Sequence, residues 1–164
     1  MPLVWNKAPD ARLFLVGKNP TAEIRNLASE RVVVTGTVPS VQEYYQRVPV
    51  VVVPMLGVAG IKVKLIEAMA LGKAIVSTPD GVAGLGIEDG KQLVVADCPE
   101  TFANAIADLF QDKETRNRLG NEARTFVAQN FSPEATQRQV RKILAYLGMT
   151  AAPLAEKHHV VACG

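Results

Sequence analysis

The sequence predicts an α/β fold: a doubly wound, Rossmann-like, mostly parallel sheet with helices gathered at the C-terminal end. Three observations predict it. Short apolar runs alternate with segments of helical period. The apolar runs end in turn residues, at Gly17, Gly36, Pro54 and Thr78. Three helical stretches then follow one another with no strand between them. In a parallel sheet of this kind, ligands bind beyond the carboxyl ends of the strands. Those ends are where the glycines and polar residues of this chain collect.

The elements follow in order. Arg12–Val16 is apolar and ends at Gly17, as a buried strand does. Thr21–Ser29 has the period of a short helix, and Val32–Thr35 is a second strand ending at Gly36. Val41–Gln46 is a helical turn or short helix. Val48–Val53 is apolar on both faces and is therefore expected at the centre of the sheet. Ile61–Leu71 is a helix stopped by Gly72, and Ala74–Val76 is the next apolar strand. Gly81, Gly84 and Gly86 suggest a flexible loop, Asp89-Gly90 a tight turn and Gln92–Val95 a last strand. Pro99–Gln111, Glu114–Gln129 and Pro133–Tyr146 are the closing helices. Ser132 stands as N-cap to the third, with Pro133 at its first position. The expected division is one domain over 1–148 and a flexible tail over 149–164.

Composition narrows the function classes. At 164 residues the chain can bury one sizeable core, and 48% hydrophobic against 21% charged residues is the balance of a globular protein. A net charge of +2 is too weak to argue for nucleic acid or an anionic membrane as partner. No apolar run approaches the roughly 18 residues that span a bilayer. The start, MPLVWNKAPD, has too short an apolar stretch for a secretory leader. Cys98 and Cys163 are expected as free thiols in a reducing compartment, which suggests the cytoplasm.

The chemistry concentrates between Pro54 and Leu85. A strand, a loop with Gly57 and Gly60, a helix and a second strand succeed one another there. The first N–H groups of a helix have no intrahelical acceptor, and the helix dipole adds positive potential at the same end. An anionic phosphate gains from both, and glycines let it approach the backbone. Lys62 and Lys64 are cations in the first turn, unfavourable against the dipole unless an anion offsets them. Glu67 is one turn after Lys64, where a carboxylate could hold a ribose diol. The plainer alternative is an ordinary turn followed by a solvated Lys64–Glu67 pair. Trp5, Tyr44 and Tyr45 could stack on a base, but packing is the commoner use of such residues and the reading taken here; Asp97 and Glu100 read as charges at a helix start. His158, His159 and Cys163 lack a zinc-site spacing and read as tail, so no metal is expected.

These segments resemble the C-terminal, donor-binding half of glycosyl transferases group 1, retaining enzymes of the two-domain GT-B type. The matching stretches are PDARLFLVGKNP (Pro9–Pro20), VVVTGTVPSVQEYY (Val32–Tyr45), VPVVVVPMLGVAGIKVKLIEAMALGKAIVST (Val48–Thr78), DGKQLVVADCPETFANAIADLFQD (Asp89–Asp112) and RNRLGNEARTFVAQNFS (Arg116–Ser132). The resemblance implies transfer of a sugar from a nucleotide-sugar to an acceptor, with retention and without a metal or other cofactor. It puts Gly60, Ile61, Lys62, Val63 and Lys64 at the donor diphosphate, Glu67 at the ribose, and Gly36, Thr37 and Val38 beside the nucleobase. It assigns no catalytic residue.

The departures from the family pattern are specific. Ala59 replaces a glutamate that many members carry seven residues before Glu67. Ala83 falls where subgroup members often have another carboxylate, and Val58-Ala59-Gly60-Ile61 is bulkier than their glycine-rich loop. Members begin this half with a further strand, glycine loop and helix. MPLVWNKAPDA resembles only the end of that helix, and the strand would lie mid-sheet beside Arg12–Val16. The implied partners are an N-terminal acceptor-binding domain or another subunit, with self-association through uncovered apolar surface, including Pro133–Tyr146, as a further expectation. The isolated chain is expected to be a poor catalyst. Three alternatives stand beside this reading: a degenerate nucleotide-binding or partner-binding domain, a receiver-like or flavodoxin-like module, and an epimerase of the same two-domain architecture. The receiver would need acids at the end of its first strand, where Leu15-Val16-Gly17-Lys18-Asn19 has none.

Overall fold

The computed structural model describes residues 1–57 and 62–149. Two compact units divide the chain, Met1–Val127 and the part that starts at Ala128. In the first unit α1 (Pro2–Lys7) leads into β1 (Leu13–Val16), α2 (Ala22–Arg25) and β2 (Val32–Gly36). Then come α3 (Gln42–Arg47), β3 (Val50–Val53), α4 (Val63–Ala70), β4 (Ala74–Ser77), α5 (Pro79–Val82) and β5 (Val94–Val95). The helices α6 (Pro99–Gln111), α7 (Lys113–Asn130) and α8 (Pro133–Tyr146) follow in series as the sequence implies.

All strand pairs are parallel, which is the expected fold class. Hydrogen bonds group the strands into two ladders, β1–β2 and β3–β4–β5. The centre of the sheet differs from the expectation. Val50–Val53 pairs on one edge only, with Ala74–Ser77, and all four of its residues are half-buried. The strand buried on both faces is β4, where Ala74, Ile75, Val76 and Ser77 are at most 2% exposed. An apolar run reports that a strand is covered but not which neighbours cover it, so the four valines could not reveal an open edge.

Alternation along β4 divides the core. Ala74 and Val76 join Val4, Ala103, Ile106, Leu109 and Leu119 on one side. Ile75 joins Leu65, Ala68, Met69, Leu93, Ala123 and Val127 on the other. The turn after α4 is a Schellman motif: the Gly72 N–H donates to Met69 and the Lys73 N–H to Ala68. Gly72 has φ +67°, the left-handed conformation that a glycine adopts without cost from a Cβ.

The loop glycines differ from expectation at one point. Gly81 belongs to α5, and a Cβ on it would overlap the Ser77 hydroxyl and lie 3.3 Å from the Val53 carbonyl oxygen. It is a close-packing residue, whereas Gly84 and Gly86 do have positive φ. In the second unit, the Ser132 hydroxyl accepts from the Ala135 N–H at 3.1 Å, the cap that the sequence indicates. Val140 and Ile143 on α8, with Leu147 at its C-cap, form an apolar stripe and are exposed. Among the described residues, no helix is long and apolar enough to cross a membrane.

Candidate functional site

The site is built where β3 and β4 end. The Thr78 N–H donates to the Val53 carbonyl at 3.3 Å, and the Thr78 hydroxyl donates to the Met55 carbonyl at 2.5 Å. The Gly57 N–H donates to the Asp80 carboxylate at 2.7 Å. From the far side of the glycine loop, the Lys62 ammonium donates to the Ala83 carbonyl at 2.7 Å. These bonds tie both ends of the loop after β3 to the segment after β4. Gly60 and Ile61, expected at the diphosphate, and Ala59 lie outside the described residues.

Lys62 is the N-cap of α4 and is 9% exposed, so its charge is held inside by a carbonyl partner. No side chain caps α4, and its first turn carries no acid. The Lys62 carbonyl accepts from the Leu65 and Ile66 N–H groups. Among the described residues the Val63 and Lys64 amides have no acceptor, and they are the helix-end donors an anion would meet. The side chains of Val63, Lys64 and Glu67 are exposed. Lys64 and Glu67 form no ion pair among the described residues, so the plain reading of a solvated pair is not what the structure holds.

Tyr45 links α3 to this helix. Its hydroxyl points to the Lys64 carbonyl at 3.5 Å, a long hydrogen bond. Burial, and then the negative charge of Glu67, push its pKa above the ordinary tyrosine value of 10.0. Tyr44, on the other side of α3, packs against Phe14 of β1 with ring centroids 6.0 Å apart. Both tyrosines thus pack, as the sequence suggests, but Tyr45 does so beside Glu67. A phenol whose folded pKa is raised adds stability that is complete below about pH 10 and is lost as pH rises through the folded pKa. The stability of the parent relative to Tyr45→Phe should therefore be flat to about pH 9 and fall above about pH 10. Urea unfolding at several pH values measures it, and a difference flat through pH 11 would refute the Tyr45–Glu67 coupling.

Gly36, Thr37 and Val38 sit at the end of β2, with Gly36 at φ +68° and paired in register with Val16. The Thr35 hydroxyl donates to the Gly36 carbonyl at 3.0 Å. Among the described residues no hydrogen bond or ion pair joins Gly36–Val38 to Lys62–Glu67; α3 and β3 lie between them in the chain. Sequence reasoning missed Asp80, and it read Tyr45 as a packing residue without placing it beside Glu67. The signal for Asp80 was available, an acid next to the proline of Thr78-Pro79-Asp80, the pattern of a helix start. The proximity of Tyr45 to Glu67 carried none, since the two are distant in sequence. No group of three or more metal-ligating side chains occurs among the described residues.

Comparison with known proteins bears on the fold and the family. An uncharacterised protein of the cps region of Klebsiella pneumoniae is 28% identical over 139 residues, which cover 79% of this chain and 36% of that protein. The crystal structure of HepE from Anabaena in complex with UDP superposes with a TM-score of 0.73 at 18% identity, over 89% of this chain and 45% of that one. The C-terminal domain of a glycosyl transferase group 1 family protein from Francisella tularensis gives 0.66 at 16% identity, over 80% of this chain and 75% of that domain. The chain thus spans less than half the length of the first two proteins. The fold is that of the C-terminal domain of GT-B glycosyltransferases. The profile of glycosyl transferases group 1 matches residues 1–112, more than half of the sequence, and the chain belongs to that family.

Proposed function

We propose that this chain is the donor-binding half of a glycosyltransferase that moves a sugar from a nucleotide-sugar to an acceptor with retention at the anomeric carbon. The observation that carries the reading is α4. Its Val63 and Lys64 amides and its Glu67 carboxylate, which have no hydrogen-bond or ion-pair partner among the described residues, stand with the Lys64 cation on one helix beside the strand ends. The amides of Gly60, Ile61, Val63 and Lys64, with the charges of Lys62 and Lys64, take the diphosphate. Glu67 accepts hydrogen bonds from the ribose hydroxyls, and Gly36, Thr37 and Val38 border the base. Leaving-group charge is then stabilised by fixed dipoles and cations, with no metal needed. The likeness to a protein solved with UDP supports a uridine nucleotide as the first ligand to try.

Transfer itself needs an acceptor site and a dry cleft, which an N-terminal acceptor-binding domain or another subunit would supply. The isolated chain is then a binder and a poor catalyst. The exposed stripe on α8 offers surface for that partner or for self-association. The far-apart cysteines suit a reducing compartment, which makes the cytoplasm the proposed location.

One observation favours the second reading, a degenerate domain. The Lys62 ammonium is bonded to the carbonyl of Ala83, the residue that stands in place of a carboxylate. Titration of the isotopically labelled chain with UDP, GDP and their sugar conjugates decides between the two. Shifts confined to Gly36–Val38 and Val63–Glu67 are expected for a working donor site. No shift at millimolar ligand would leave the degenerate domain as the correct reading.

A further inference from the structure

The amino edge of the sheet carries a concavity of its own. Val50 and Ala74 open β3 and β4, and a cavity of about 320 Å³ lies beside Pro49 and Ala74. The donor-site candidates sit at the opposite edge, beyond Val53 and Ser77. One strand of four residues separates the two edges, about 13 Å at the rise of a strand.

The lining is cationic. Arg47 comes from the end of α3, Lys73 from the turn after α4, and Lys113 and Arg116 from the start of α7. Gln46 and Asn117 add two side-chain amides. Among the described residues, no carboxylate lines the cavity. Both arginines have ordinary structural reasons. The Arg116 guanidinium donates to the Leu109 and Phe110 carbonyls and so closes the end of α6. Arg47 stands in the last turn of α3, where the dipole favours a cation, and lies 3.9 Å from the Glu43 carboxylate.

The two lysines differ. Neither ammonium has a hydrogen bond or ion pair among the described residues. Lys73 is half-buried, and burial pulls its pKa below the ordinary lysine value of 10.5. It therefore loses hydration without gaining a counterion. Lys113 stands in the first turn of α7, where the dipole opposes a cation. The Thr115 N–H at that helix end is already taken by the Asp112 carboxylate at 2.9 Å. What the cavity offers is thus side-chain charge and not an open helix end.

We propose that this cavity is a second anion site, which takes a small phosphate-bearing molecule of two or more negative charges. Phosphate oxygens accept charge-assisted hydrogen bonds from Lys73 and Lys113, and the Gln46 and Asn117 amides supply neutral donors. Size and rim favour a free small molecule. The volume of about 320 Å³ is at the lower end for small-ligand pockets, which run from about 300 to 1,000 Å³. A lipid surface would need apolar side chains to insert, and among the described residues none of the large exposed hydrophobics lines the cavity. Nucleic acid would need a stronger basic excess than the net charge of +2. None of these residues belongs to the donor-site candidates, so the inference does not rest on the proposed function.

The test is titration of the isotopically labelled chain with inorganic pyrophosphate, against sodium chloride at equal ionic strength. The amides of Lys73, Ala74, Lys113 and Asn117 are expected to shift and to saturate with a Kd of about 1 mM or tighter. Pyrophosphate also probes the helix end of α4, so shifts at Val63–Glu67 are followed as a separate curve. The double variant Lys73→Gln, Lys113→Gln is expected to weaken the first curve about tenfold or more and to leave the second unchanged. Lys113→Gln alone, at an exposed position, should weaken the first about threefold and serves if the double variant does not fold. No saturable shift at the four amides with millimolar pyrophosphate overturns the proposal. A response that sodium chloride reproduces, or equal binding by the variants, does the same. Shifts confined to Val63–Glu67 would support the donor site alone and overturn this one. A response to phosphatidylglycerol vesicles without one to pyrophosphate would assign the face to a membrane and overturn it too.

Discussion

Gly120→Ala is expected to destabilise the protein by about 2–3 kcal/mol, and the direction matters as much as the size. Gly120 lies inside α7, where alanine is intrinsically better than glycine by about 1 kcal/mol. Propensity alone therefore predicts a more stable variant. The packing predicts the opposite. A Cβ on Gly120 would overlap the carbonyl oxygen of Gly72 and stand 2.8 Å from its carbonyl carbon. Both atoms belong to backbone, held in the Schellman turn that ends α4, so no side chain can rotate away. The helix must shift, and Leu119 and Ala123, both fully buried, must shift with it. Thermal unfolding should show a midpoint lower by roughly 5–10 °C. A midpoint equal to or above that of the parent would mean that α7 does not approach the turn so closely. Gly72→Ala provides a scale. Its cost is the left-handed φ, about 1–2 kcal/mol, because the nearest neighbour of a Cβ there is the movable Arg124 guanidinium at 3.0 Å.

Gly72 and Gly120 also show what the sequence can and cannot reveal. Gly72 follows the last apolar position of a helical pattern, so its role as a stop was legible. Gly120 sits in a polar helical stretch and has no local signature, because its reason is the backbone of a residue far away in the chain. The same division runs through the fold. Elements with a local cause, such as the Ser132 cap with Pro133 and the order of strands and helices, were readable. The neighbours of β3 were not, since four valines are equally apolar beside a strand or beside an open cleft. At the candidate site, Lys62, Lys64 and Glu67 were singled out from helix position. Their partners, Ala83 for Lys62 and Tyr45 near Glu67, arise from contacts across the fold that no spacing encodes.

Glu67→Ala should weaken binding of UDP roughly 10- to 100-fold while leaving the fold intact. A carboxylate that accepts hydrogen bonds from a ribose contributes about 1.5–3 kcal/mol through charge-assisted bonds, and each 1.4 kcal/mol is about tenfold in affinity. Glu67→Gln keeps the acceptor and loses the charge, so it should fall between parent and alanine. Stability is expected to move by less than about 0.5 kcal/mol, because Glu67 is exposed and makes no ion pair among the described residues. Calorimetric titration of UDP into the three proteins measures the affinities, and spectrophotometric titration of tyrosine supplies an independent check. Removing the Glu67 charge lowers the Tyr45 pKa toward its ordinary value, because that charge is the second cause of the shift. If the Tyr45 titration moves and UDP affinity does not, Glu67 is close to Tyr45 but does not hold the ribose. If affinity drops in the predicted order, the carboxylate is a ligand-binding group, and the helix that carries it is the donor site.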